Sequence, residues 1–276
     1  MIYPSFSKVN IGLKVLNQRD DGYHDIYTVF QELNFGDSLQ VEKTDNGCTL
    51  SSNMDWIPTD ETNICYKAYV ALKNARPELG GVSIHIDKKV PAGSGLGGGS
   101  ANGAAVLKGI NELYDLNLSN DELEKIGASV GADVPFFIKG GTQLGEGIGD
   151  RLTPLLSHIK GTYLLVVPDI SINTTWAYSE LKNKLNQEIF LPKFVGYIGE
   201  DNASLEIFEN DFERIVIPAY PEIGAIKQKM LELGARFASL SGSGSTVYGI
   251  FDEDASAKEA ELFFRPSHQT ILANPT

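Results

Sequence analysis

Cysteine is scarce in this chain. Cys48 and Cys65 are the only two among 276 residues, too few for a disulfide framework and not spaced as a metal knuckle. Such usage implies two reduced thiols. Basic residues are outnumbered too, 23 Lys and Arg against 36 Asp and Glu, for a formal net charge of −13. That deficit argues against a nucleic-acid or anionic-membrane partner, whose phosphates are gripped by clustered Lys and Arg. A nucleotide stays within reach if uncharged backbone amides hold its phosphates. No apolar run approaches transmembrane length, and Met1 to Asn10 has no apolar core of signal-peptide length. The expectation is a cytoplasmic protein.

What is present is an ordinary globular composition, 42% hydrophobic and 21% charged, in a chain long enough for two domains. From Ser7 to Leu16 apolar Val9, Ile11, Leu13 and Val15 alternate with Lys8, Asn10, Gly12 and Lys14. This period of two predicts a strand with one buried face and with Lys8 and Asn10 side by side on an exposed polar face. Asp21-Gly22 signals a turn, and Tyr27 to Leu33 reads as the returning strand, with a further strand pattern through Leu39 and Val41. Helical spacing covers Thr62 to Asn74, and Val82, Ile84 and Ile86 mark another strand. Ser119 and Glu122 have capping-box spacing ahead of a further helix. A composition break over Gly145 to Pro154 is the best candidate boundary, dividing the chain into residues 1–152 and 153–276. Beyond it Tyr163 to Val167 reads as a strand, and Asn173 to Asn186 and Pro221 to Leu233 as helices, the second closed by Gly234. Strand patterns at Arg236 to Leu240 and Thr246 to Phe251 flank a second glycine loop, Ser241 to Ser245. Strands and helices that do not strictly alternate predict an α+β fold.

The densest signal runs Pro91, Ala92, Gly93, Ser94, Gly95, Leu96, Gly97, Gly98, Gly99, Ser100, Ala101, between a strand and a helix predicted from Ala101 to Leu116. Glycine is needed where backbone amides must approach a ligand closely or where φ is positive. A helix N-terminus adds free N–H groups and the positive end of a dipole, which suits a polyphosphate such as that of ATP. Ser100 offers a hydroxyl to a phosphate or to Mg²⁺. The loop lacks the Gly-Lys-Ser/Thr ending of a Walker A motif. A dinucleotide pattern fits Gly93 to Gly98, but the acidic partner expected about twenty residues on would be Asp115, at the end of a helix. An NAD-binding oxidoreductase is therefore the weaker reading.

A kinase acting on an alcohol needs a group to take or orient the hydroxyl proton and a cation to offset charge on the moving phosphoryl. Asp133, in Gly131-Ala-Asp-Val-Pro135, is a candidate for the first. Pro135 is expected to hold Val134 extended and put Asp133 at a helix-to-strand junction. Lys8 is a candidate for the second.

Three segments together, Ser7-Lys8-Val9-Asn10, Pro91 to Ala101 and Ser241 to Tyr248, resemble the three motifs of the GHMP kinase superfamily in the right order. Arg19-Asp-Asp-Gly-Tyr-His24, Gly131 to Pro135 and Gly145 to Gly149 resemble its branch acting on 4-diphosphocytidyl-2-C-methyl-D-erythritol. The resemblance runs from the first strand to Phe251. It implies a ribosomal-protein-S5-like N-terminal domain and a ferredoxin-like C-terminal domain. It also implies transfer of the ATP γ-phosphate to the 2-hydroxyl of a methylerythritol unit, with Mg²⁺ as cofactor, in a monomer or homodimer. Lys8 and Asp133 map onto the family's catalytic pair, and Asn10 onto its substrate-holding asparagine. Tyr23 and His24 map onto the cytosine site, completed by Tyr178 with Thr174 nearby, although Trp176 is a neighbouring alternative. The chain departs from the family at Ile11-Gly12, where a bulkier pair is common, and at Ser100-Ala101, where two serines often stand. Rival readings are a kinase of mevalonate, homoserine or a sugar, and a nucleotide-binding module without catalysis.

Overall fold

The alternating residues at the N-terminus belong to a 17-residue strand, β1 (Ile2–Gln18). A turn at Asp20 to Gly22 returns the chain into β2 (His24–Thr44), which absorbs both strand patterns expected there. The structure is a computed structural model and describes residues 1–182, 194, 198 and 205–276. Contacts within the chain form two compact units. The first holds Met1–Ser7, Gly36–Ala92 and Gly97–Gly140, and the second holds Lys8–Phe35, Gly93–Leu96 and Gly141–Thr276. A single boundary between residues 152 and 153 therefore does not describe the division, because β1 and β2 each contribute to both units. The β2 residues of the two units are joined at Phe35-Gly36, where a side chain on Gly36 would overlap the Ser5 carbonyl.

In the first unit the second half of β2 pairs antiparallel with β4 (Gly81–Asp87), and β3 (Cys48–Ser52) pairs parallel with β4. Leu39, Val41, Val82, Ile84 and Ile86 are buried on this sheet. Its helices are α1 (Ile64–Ala75), α2 (Gly98–Leu113), α3 (Asn120–Ala128) and α4 (Val134–Lys139). Helix α2 is largely enclosed, with Ala101, Ala104, Ala105, Val106, Leu107 and Ile110 all buried. Its small residues let α1 and α4 approach, and each buried Val, Leu or Ile contributes roughly 1.5–3 kcal/mol. Helix α3 starts with the expected capping box: Ser119 accepts from the Glu122 amide, and Glu122 accepts from the Ser119 amide.

One local expectation fails here. Val134 is helical, not extended, and Pro135 sits in the first turn of α4. Proline is tolerated there because its missing N–H has no intrahelical partner to lose. Asp133 thus lies at a helix-to-helix junction.

In the second unit the first half of β2 pairs antiparallel with β5 (Thr142–Glu146), which pairs with β6 (Arg151–Pro154). The rest is a four-stranded antiparallel sheet in the order β10-β7-β9-β8, from β7 (Thr162–Val167), β8 (Phe237–Leu240), β9 (Val247–Phe251) and β10 (Gln269–Ala273). Its helices are α5 (Thr174–Lys182), α6 (Glu213–Ala219), α7 (Pro221–Glu232) and α8 (Asp254–Phe264). Of the helix expected over 173–186, residues 183–186 lie outside the described residues. This is the ferredoxin-like arrangement, and the fold is α+β as expected. Strand β10 and helix α8 lie beyond the reach of the sequence patterns. Among the described residues no helix is long and apolar enough to cross a membrane.

Candidate active site

Strand β1 is buried on both faces from Ser7 to Leu13, so Lys8 and Asn10 do not stand on an exposed face. Lys8 is 5% exposed and Asn10 2%. The reason is tertiary: the loops around Gly95 and Gly242, together with Phe30, cover this side of the strand. Lys8 Nζ donates to Asn10 Oδ1 at 2.7 Å and to the Gly95 carbonyl at 3.2 Å, and lies 5.5 Å from the Phe30 ring centroid. Its backbone amide donates to the Leu96 carbonyl at 2.9 Å.

The amide group of Asn10 is oriented by its neighbours. Its Nδ2 donates to Thr28 Oγ1 at 3.1 Å, and that hydroxyl donates to the Gly12 carbonyl at 2.6 Å. Asn10 Oδ1 is left facing the lysine. The Tyr248 hydroxyl donates to the Asn10 carbonyl at 2.9 Å. Burial pushes this phenol well above its usual value, with the neighbouring Tyr163 adding to the effect, so it remains a donor at any physiological pH.

The two glycine loops meet inside the second unit. Ser241 Oγ donates to the Gly95 carbonyl at 2.9 Å, and the Thr246 amide donates to the Ser94 carbonyl at 3.1 Å. Gly95 has φ +82°, and a Cβ there would lie 2.1 Å from the Ser241 carbonyl oxygen. Glycine at 95 is thus demanded by both conformation and space. A Cβ on Gly242 would lie 3.5 Å from Asn10 Oδ1 and 3.8 Å from Lys8 Nζ, which places the second loop directly against this pair.

His24 and Tyr178 stack, with ring centroids 5.0 Å apart and planes 20° apart. Phe212 braces Tyr178 edge-on at 4.9 Å. Trp176 instead packs edge-on against Tyr220, so Tyr178 is the aromatic that reaches the imidazole. Thr174 Oγ1 is 3.1 Å from Ser243 Oγ in the second glycine loop. Tyr23 is 59% exposed. The departure at Gly12 has a local explanation: φ is +68°, and a Cβ would lie 2.7 Å from the Phe194 ring, which stacks between Tyr27 and Phe208.

In the first unit Gly97 has φ +71° and precedes α2 with no side-chain cap. The amides of Gly98, Gly99 and Ser100 therefore open the helix without an internal acceptor. Pro91, Ser100 and Asp133 are half-buried, Ala92 and Gly99 exposed, and Gly98 and Ala101 buried. A Cβ on Gly131 would lie 3.9 Å from Ser100 Oγ, so the Gly131 to Pro135 turn borders the start of α2. The Asp133 side chain does not cap α4.

A group absent from the sequence reading secures the approach to this loop. Lys88 and Asp37 form a buried ion pair at 2.5 Å. Asp37 Oδ1 also accepts from the amides of Lys89 and Val90, at 2.7 and 2.8 Å, directly before Pro91. A Cβ on Gly98 would lie 2.9 Å from Lys88 Nζ. Nothing in the local pattern around Asp37 signals this role, because the partners lie some fifty residues apart.

Mg²⁺ bound alongside a nucleotide keeps several waters and takes only one or two protein oxygens. Among the described residues there is no group of three or more His, Cys, Asp and Glu that could hold a metal. One hydroxyl at the start of α2, that of the half-buried Ser100, suits such a phosphate-borne ion.

The chain is similar to proteins of known family along nearly its whole length. Residues 63–141 match the GHMP kinases N terminal domain, and residues 197–267 match the GHMP kinases C terminal domain. The 4-diphosphocytidyl-2-C-methyl-D-erythritol kinase of Alkaliphilus oremlandii is 41% identical over 280 residues, covering 98% of this chain and 96% of that protein. A crystal structure of 4-(cytidine 5'-diphospho)-2C-methyl-D-erythritol kinase superposes with a TM-score of 0.82 at 29% identity, covering 100% of this chain and 99% of the other. A homoserine kinase from Cytophaga hutchinsonii superposes with a TM-score of 0.75 at 18% identity, covering 100% and 94%, a likeness of fold alone.

Proposed function

The chain belongs to the GHMP kinase family, among its 4-diphosphocytidyl-2-C-methyl-D-erythritol kinases, and from that premise we propose its reaction and the residues that perform it. The γ-phosphate of ATP passes to the 2-hydroxyl of 4-diphosphocytidyl-2-C-methyl-D-erythritol, in the non-mevalonate route to isoprenoid precursors. The observation that carries the choice of acceptor is the His24–Tyr178 stack in the same unit as Lys8 and Asn10. A flat ring beside an imidazole suits a nucleobase, which stacks on the one and hydrogen-bonds to the other. The cytosine takes that place, with Tyr23 and Thr174 completing the site.

The hydroxyl oxygen of the acceptor attacks the γ-phosphorus as the bond to the β,γ-bridging oxygen breaks. Its proton passes to Asp133, and ADP leaves. Lys8 offsets charge on the moving phosphoryl, and Asn10 holds both the lysine and the acceptor. The amides from Gly93 to Ala101 hold the phosphates of ATP. Ser100 is the residue that would hold Mg²⁺, through its hydroxyl, and the ion would supply charge neutralisation on the phosphates. Two free thiols suit a reducing compartment, and we place the protein in the cytoplasm as a monomer or homodimer.

A coupled assay with Mg-ATP and an acceptor panel tests the reading. Turnover is expected with the diphosphocytidyl substrate and not with homoserine, mevalonate or methylerythritol lacking the cytidyl group. Equal turnover of the truncated alcohol would replace this reading with a plainer sugar-alcohol kinase.

A further inference from the structure

Residues 209–211 add a short piece of backbone beside β1. The Leu13 amide donates to the Glu209 carbonyl and the Asp211 amide donates to the Leu13 carbonyl, each at 2.8 Å. This pairing fixes Asn210, which is 2% exposed. Its Oδ1 accepts from the Phe212 amide at 3.0 Å, so the carboxamide orientation is set. Its Nδ2 donates to two backbone carbonyls, Leu240 and Gly242, both at 2.8 Å.

Those two carbonyls flank Ser241. With both neighbours tied to one amide group, the Ser241 hydroxyl is aimed at the Gly95 carbonyl, where it donates at 2.9 Å. Lys8 Nζ uses the same carbonyl oxygen. A second residue from the same stretch supports the loop's start: Glu213 Oε1 accepts from the Leu240 amide at 2.9 Å and from Ser239 Oγ at 3.0 Å. Every residue in this relay lies in the second unit.

We propose that Asn210 is a positioning residue for phosphoryl transfer, acting through Ser241 and the Gly95 carbonyl to hold Lys8 in place. The inference rests on Lys8 having the role given above. Both polar atoms of the Asn210 side chain are engaged by backbone groups of the protein, so its loss acts on the transfer step and spares ligand binding. A misplacement of about 1 Å at a reacting group costs on the order of 100-fold in rate.

Two variants test it. Asn210→Asp keeps the shape but turns a double donor into an acceptor facing two carbonyls. Ser241→Ala removes a single hydroxyl and leaves the backbone in place. Calorimetry gives the Kd for a non-hydrolysable ATP analogue and for the acceptor, and rapid quench gives the single-turnover rate. The acceptor used is whichever of the panel the wild type phosphorylates, so a wrong acceptor assignment does not affect the outcome. The expected result is a fall of about 10- to 100-fold in transfer rate for both variants, with both Kd values within about threefold of wild type. A rate for Ser241→Ala within threefold of wild type overturns the relay, whatever Asn210→Asp does. Equal losses in rate and affinity also overturn it, since a merely structural residue would move both. If Asn210→Asp fails to fold, Ser241→Ala decides alone by the same criteria.

Discussion

The imidazole of His24 lies face to face with the ring of Tyr178, 5.0 Å between centroids, and Phe212 packs at right angles to the tyrosine. His24 is 8% exposed, so a hydrogen bond made there is shielded from water. Stacking and a shielded hydrogen bond each contribute on the order of 1–3 kcal/mol. His24→Ala should therefore lower kcat/KM for the diphosphocytidyl substrate by roughly 5- to 150-fold and leave KM for ATP nearly unchanged. Initial-rate kinetics with each substrate varied in turn check this, and a matching rise in KM for ATP would remove His24 from the acceptor site.

Asp133→Asn should keep the fold and nucleotide binding but lose turnover. An amide matches the carboxylate in size and cannot accept the hydroxyl proton, and general-base losses run about 10²- to 10⁴-fold. Near wild-type kcat in this variant would exclude Asp133 from proton transfer.

Gly97→Val should weaken ATP binding far more than binding of the cytidyl substrate. Gly97 has φ +71°, which a β-branched residue resists, and it immediately precedes the open amides of α2. Calorimetric titration with both ligands separates the cases, and equal losses would make the loop merely structural.

Asp37→Ala should destabilise the protein by about 3–5 kcal/mol, because it leaves the buried Lys88 ammonium without its partner. It also frees the amides of Lys89 and Val90. A urea unfolding curve measures the change, and a loss below about 1 kcal/mol would mean that water or another group takes over.

The Cys48 thiol is pushed up to about 11 by burial. At pH 8 only about one thiol in a thousand is then ionised, so alkylation by iodoacetamide should be slow and rise roughly tenfold per pH unit to about pH 10. The sign for stability follows: the unfolded chain releases this proton at the ordinary thiol value while the folded protein retains it. Stability falls as pH rises from that value to about 11. A reaction rate already level below pH 9 would contradict the shift. Mass spectrometry after timed labelling separates Cys48 from the fully buried Cys65.

Local signals were legible where one stretch of chain decides the outcome. The capping box at Ser119, the strand through Val9 to Val15 and the glycine opening of α2 all follow from neighbours in sequence. What the chain concealed depends on partners far away. Lys8 reads as exposed because nothing within ten residues reveals that the loops at Gly95 and Gly242 cover it. Asp133 reads as leading into a strand because Pro135 fits an extended chain and a first helical turn equally well. Asn210 has no local mark at all, since its acceptors lie thirty residues on. The choice of Tyr178 over Trp176 likewise waited on which ring the turn of α5 brings to His24.

The backbone passes between the two units after residues 7, 35, 92, 96 and 140. Neither unit is a continuous stretch, and that ordering governs what a ribosome can release in finished form. Lys8 leaves the exit tunnel more than 230 residues ahead of Ser241. At roughly 5–20 residues per second, the segment around β1 waits on the order of 10–50 s for the loop that covers it. During that interval Val9, Ile11, Leu13 and Val15 form an apolar edge without its final partners. Lys8, Asn10 and Lys14 are interleaved among them, and charged or polar side chains on an unpaired strand disfavour pairing with other chains.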